Sequence, residues 1–158
     1  MKYILGILFS LCVLNAQSQG DEKEHHHHHH KNEIGMANAP VYFLQDDEFA
    51  YGIHFHYVRK LTESKFGIGL GYERIFDDHE HNTFSLVGDY RPIEAWSINV
   101  SPGVTYESRA ASQLVFSLHI ETAYEFELGD FHIGPAAEWA YDTEDIHISL
   151  GIHIGYGF

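Results

Sequence analysis

Six consecutive histidines, His25, His26, His27, His28, His29 and His30, are the most reactive stretch of the chain. Neutral imidazoles bind zinc, copper and nickel, and Asp21, Glu22 and Glu24 beside the run add negative potential. Six histidines behind a leader are also where a purification tag is placed. A tag does not explain the other eight of the 14 histidines, which are scattered through the rest of the chain. A second group, Asp77, Asp78, His79, Glu80, His81 and Asn82, mixes hard oxygen and imidazole donors in a single loop. That mixture suits weak divalent binding; the alternative is a solvated surface turn.

A third group depends on strand pairing. A tight turn at Gly129–Asp130 sets Glu121 opposite Glu138 and Glu127 opposite His132. The following hairpin puts Ser149 beside Glu138 and His147 beside Ala140, while His119 neighbours Glu121 on the same face. Two facing carboxylates in a confined space repel, so they must share a proton or a cation. Glu121, Glu138, His119 and His147 are therefore a candidate metal site, with a hydrogen-bonded packing network as the alternative. His54 and His56 are expected between Ala39 and Ala37 on one side and Gly69 and Gly67 on the other. Such small neighbours make space-filling as good an account of that pair as metal binding.

These residues sit on strands. At the carboxy end, Ile148, Leu150, Ile152, Ile154, Tyr156 and Phe158 alternate with His147, Ser149, Gly151, His153, Gly155 and Gly157. A period of two gives one apolar face and one polar or small face. A tilted bilayer-crossing strand needs about 9–11 residues, and this one is long enough. The same alternation recurs from Phe49, Phe66, Thr83, Trp96, Gln113 and Phe131 onward, with short turns between and no helical period. The first strand, Glu33 to Leu44, is apolar or small on both faces, and Pro40 removes a ladder donor there, which predicts a distortion. Gly, Ser, His and Glu fill the narrow interior of an eight-stranded barrel, so the aromatic and aliphatic face is the one that meets lipid. The fold class is all-β: an eight-stranded antiparallel up-and-down transmembrane β-barrel over residues 33–158.

The segment 1–16 reads as a signal peptide: Lys2, then an apolar run from Ile4 to Leu14, then Ala16 before the expected cut. Leu11 ahead of Cys12 argues against lipidation. Cys12 is the only cysteine, so the exported chain is expected to have no disulfide or thiol chemistry. Residues 17–32 form a polar, His-rich arm with no periodicity, expected to be disordered in the periplasm. With 23 acidic against 9 basic residues, the chain lacks the basic patches that nucleic acid requires. The links Gln45–Glu48, Asp77–Asn82, Ser108–Ser112 and Asp142–Asp145 are then external. Lys60–Ser64, Arg91–Glu94 and Gly129–Asp130 face the periplasm.

Eight alternating strands, short turns, aromatic residues near strand ends and the closing Gly155, Tyr156, Gly157, Phe158 resemble small bacterial outer-membrane barrels. The likeness is to the transmembrane domain of outer-membrane protein A and its single-domain relatives. It implies outer-membrane location, contact with lipid, insertion by the barrel assembly machinery and a monomeric state. It does not imply one activity, because such barrels are anchors, adhesins, stress proteins and enzymes alike. The pair His147 and Ser149 faintly resembles outer-membrane deacylases, but the alternation turns both inward, away from any acyl chain in the bilayer. The expectation is a non-enzymatic barrel that requires no cofactor and binds zinc, nickel or copper through its periplasmic arm. The alternative is a structural or surface-interaction barrel with incidental histidines.

Overall fold

The computed structural model describes residues 30–78, 80–107, 113–143 and 145–158. The expected signal peptide, most of the expected arm including His25, His26, His27, His28 and His29, the loop Ser108–Ser112, His79 and Glu144 lie outside the described residues. The strands are β1 (Asn32–Phe43), β2 (Glu48–Lys60), β3 (Phe66–Phe76), β4 (His81–Ile93) and β5 (Trp96–Glu107). They continue with β6 (Gln113–Tyr124), β7 (Phe126–Leu128), β8 (Phe131–Asp142) and β9 (Ile146–Gly157). Segments β6 and β7 both pair with β8 in one unbroken register and together make one stave. Every neighbour is antiparallel, and β1 pairs with β9 while β6 pairs with both β5 and β8. The sheet therefore closes as eight staves. Closure removes free edges and satisfies the backbone internally, the condition for crossing a bilayer with strands.

Burial is inverted relative to a water-soluble protein. Phe49, Leu114 and Leu150, each 72% exposed, lie on the outer surface. Glu107, Glu121, His147 and His153 are buried inside. Water-soluble monomers rarely expose large side chains of this kind on every strand, and the belt matches the lipid-facing band of a transmembrane barrel. Inside, Val41, Phe43 and Ile75 form a small apolar cluster near the end opposite the termini.

Three local departures shape the lumen. Pro40 causes no bulge: β1 stays in register with β2 through Pro40↔Tyr51, and only the pairing with β9 lapses between Asn38 and Val41. The register shift lies instead between Tyr90 and Ile93, where β4 meets β5. That shift corrects the expected link at Arg91–Glu94: β4 continues to Ile93, and Arg91 belongs to the strand. Finally, β1 begins at Asn32, whose backbone N–H and carbonyl both bond to Phe158, tying the two ends of the barrel chain together.

Candidate metal centre in the lumen

Alternation sends Glu73 of β3, His119 of β6, Glu138 of β8 and His147 of β9 inward, and all four are buried. Their ligand atoms lie within 4.8 Å of one another. Zinc–ligand bonds of about 2.0–2.2 Å put tetrahedral ligands roughly 3.3 Å apart, so a modest contraction would close this set on an ion. The Nδ1–H of His119 donates to Glu138 Oε1 at 3.0 Å and stands 3.4 Å from Glu73 Oε2. Both ring nitrogens of His147 are buried without a hydrogen bond, and its Nε2 is 3.9 Å from Glu138 Oε1. Buried imidazoles normally find a partner, so His147 is available as a ligand. Phe43 packs 5.2 Å from the His147 ring and 5.6 Å from that of His81, screening the cluster on the side away from the termini.

Beside this set lie His54, His56 and Glu121, also within ligand distance of one another. The Nδ1–H of His54 donates to Glu121 Oε2 at 3.2 Å, and Asn99 Nδ2 donates to Glu121 Oε1 at 3.4 Å. A cavity of about 20 Å³ opens between the sets, lined by Glu73, Glu121, Glu138 and His54 against a wall of Ala37, Ala39, Gly52, Ala136 and Gly151. That is room for about one water-sized group.

Near the termini a third set, Glu33, Glu125, His132 and His153, has similar spacing but different electrostatics. Arg91 reaches in from β4: its Nη2 donates to both Glu33 oxygens at 2.8 and 2.7 Å, and its Nη1 donates to Glu125 Oε2 at 2.7 Å. Ser97 Oγ adds a bond to Glu125 Oε1 at 2.8 Å. Both carboxylates are already paired with the guanidinium, which a cation here would meet. This set is an ion-pair plug. His30, the last of the histidine run, sits at the rim on the same side, over Gly157 and 3.2 Å from Asp130.

The pairing Glu121↔Glu138 is as expected, as are Glu138↔Ser149 and Ala140↔His147. Glu121 nevertheless groups with His54 and His56, and Glu73 completes the set with His119, Glu138 and His147. The expected surroundings of His54 and His56 are corrected. Their β1 partners are Ala37 and Gly35, and their β3 partners are Glu73 and Gly71. The link between β2 and β3 spans 61–65 rather than Lys60–Ser64, closing with Leu61 N–H on the Phe66 carbonyl and Glu63 at φ 55°. The slip preserves which face points inward and changes who sits beside whom. Of the loop group, His81 turns into the lumen at the start of β4, bonded to Asp77 and 3.5 Å from Glu107. Asn82 bonds instead to Tyr72 and the Glu80 carbonyl. Among the described residues, Asp77, Asp78, Glu80 and His81 do not join any of the three sets. Glu33, Glu73, Glu125, His132 and His153 escaped the sequence reading as ligands; inward alternation was the signal available for them.

No family model and no curated protein matches the chain. Solved structures do. The amino-terminal β-barrel domain of Pseudomonas aeruginosa OprF is 17% identical with a TM-score of 0.57, the match covering 82% of this chain and 98% of that one. Ail, the attachment invasion locus protein of Yersinia pestis, solved with the heparin analogue sucrose octasulfate, is 15% identical with a TM-score of 0.56, covering 80% and 97%. Neisserial surface protein A is 9% identical with a TM-score of 0.55, covering 80% and 96%. At such identities the likeness is one of fold. This chain has the closed eight-stranded architecture of the small outer-membrane barrels.

Proposed function

We propose that the protein is an exported, non-enzymatic barrel of the bacterial outer membrane that holds a divalent transition metal inside its lumen. The observation that carries this reading is the buried convergence of Glu73, His119, Glu138 and His147, with both nitrogens of His147 left without a hydrogen bond. Two imidazoles and two carboxylates suit zinc and its borderline neighbours nickel and copper. The cavity beside these ligands offers an ion room and an organic substrate almost none, which favours binding over catalysis. His147 and Ser149 face this interior rather than lipid, so acyl-chain hydrolysis has no route to them.

In this reading the termini face the periplasm, and the histidine arm collects metal there. His30 at the barrel rim links that arm to the body of the protein. Arg91 with Glu33 and Glu125 favours a second role, an interior plug that stabilises the barrel. Zinc and nickel titration of the refolded full-length chain tests the reading, alongside a version with His25 through His29 replaced by Asn. Binding that persists in the substituted chain and is lost on adding His119→Asn or His147→Asn supports a lumen site. Binding that vanishes with the arm, or no binding at all, overturns it.

A further inference from the structure

We infer that the lumen holds two divalent cations, not one, with the carboxylate of Glu138 bridging them; this rests on the metal-binding reading above. Glu138 presents its two oxygens to different imidazoles. Its Oε1 faces His119 at 3.0 Å and His147 at 3.9 Å, while its Oε2 faces His54 at 3.9 Å. His54 in turn is 3.2 Å from Glu121. The first ion is held by Glu73, His119, His147 and Glu138, and the second by His54, His56, Glu121 and the other oxygen of Glu138.

The second position has its own evidence. His56 is 3% exposed, and neither of its ring nitrogens makes a hydrogen bond. Its nearest acid is Glu33, 3.8 Å from Nε2. One flank of its ring is stacked on His153, with centroids 5.1 Å apart and planes 10° from parallel, which fixes its orientation. Gly35 makes this possible, since a Cβ there would collide with the rings of His56 and His153. The backbone has given up a side chain to seat two imidazoles.

Charge is compatible with the same count. Glu73, Glu121 and Glu138 line one small buried cavity. Burying ionised carboxylates is costly unless they are paired or bind metal. One divalent cation leaves the three carboxylates one negative charge in excess and two leave one positive charge in excess, so charge admits the second ion and the ligand geometry argues for it. Paired metals bridged by a carboxylate lie about 3.5–4 Å apart in known two-metal sites.

The test uses the full-length chain with His25 through His29 replaced by Asn, refolded in micelles and probed with zinc alone and with cobalt(II) alone. Metal per folded chain is measured after dialysis, and magnetic coupling between cobalt ions by electron paramagnetic resonance. Folding of every variant is checked by circular dichroism. We expect two ions per chain with coupled cobalt signals. His56→Asn should reduce this to one ion with an uncoupled signal, and Glu138→Gln should abolish the coupling. One ion per chain, bound as tightly in His56→Asn, would overturn the bridged pair and leave the single-metal reading standing. No bound metal in the arm-substituted chain would overturn both. Should His56→Asn fail to fold, His54→Gln gives the same readout at the second position.

Discussion

Glu121 of β6 and Glu138 of β8 are direct cross-strand partners, both buried, yet their carboxylates turn to different histidines. Glu121 accepts from His54 at 3.2 Å and Glu138 from His119 at 3.0 Å. Facing acids repel in a low-dielectric interior. The two imidazoles, drawn from β2 and β6, divide the pair into two half-sites. The candidate centre is thus organised by a repulsion and the groups that relieve it.

Bound metal should stabilise the barrel by linkage. An ion that binds only the folded state at a hundred times its dissociation constant contributes about 2.7 kcal/mol. Urea unfolding of the arm-substituted chain in micelles, with excess zinc and then with chelator, should show a rise of that order. Glu138→Gln should remove most of it, because the proposed bridge makes Glu138 a ligand to both half-sites. A rise that survives in Glu138→Gln would place the stabilising metal elsewhere.

Arg91 should be among the most costly residues to lose. It is half-buried and pairs with the buried Glu33, Glu125 and Asp89 near the termini. Removing one partner of such a buried group leaves uncompensated charge and typically costs about 3–5 kcal/mol. Arg91→Met, which keeps much of the side-chain volume, should show that loss in equilibrium unfolding. A change below about 1 kcal/mol would mean that these acids are paired by other means.

The outer face should tolerate charge only at its margins. Leu118 and Ile152 lie near mid-strand on the outward side. Arg at either should cost about 2–4 kcal/mol when the protein is folded in phospholipid vesicles. Thr62→Arg, in the exposed turn between β2 and β3, should cost little. Equal losses at the three positions would show that the belt does not face lipid.

Gly134 should resist even a methyl group. It lies opposite Glu125, where the stave made by β6 and β7 is interrupted, and a Cβ there would strike the Tyr124 carbonyl. Backbone cannot step aside as a side chain can, so Gly134→Ala should cost about 1–3 kcal/mol through overpacking. Gly88→Ala, whose nearest contact would be the Val100 carbonyl at 3.6 Å, is the matched control. Similar unfolding midpoints for the two variants would contradict the close approach at Gly134.

Period-two alternation is local, and it was enough to settle the barrel. Ile148 through Phe158 and the other strands declare two faces of opposite character, and an interior of Gly, Ser, His and Glu leaves the apolar face no partner but lipid. The tight turn at Gly129–Asp130 likewise made Glu121↔Glu138 legible, because a two-residue turn leaves little freedom of register. Elsewhere the loops decided. A hairpin that closes at Leu61 and Phe66, rather than nearer its middle, brings Glu73 beside His54 in place of a glycine. The shift between Tyr90 and Ile93 draws Arg91 inward from an expected link. The two candidate ligand sets also draw on β2, β3, β6, β8 and β9, and no spacing along the chain encodes distances across a closed cylinder. Which residues face inward follows from the pleat alone. Which of them meet is set by turn length, bulge and closure, and those belong to the tertiary structure.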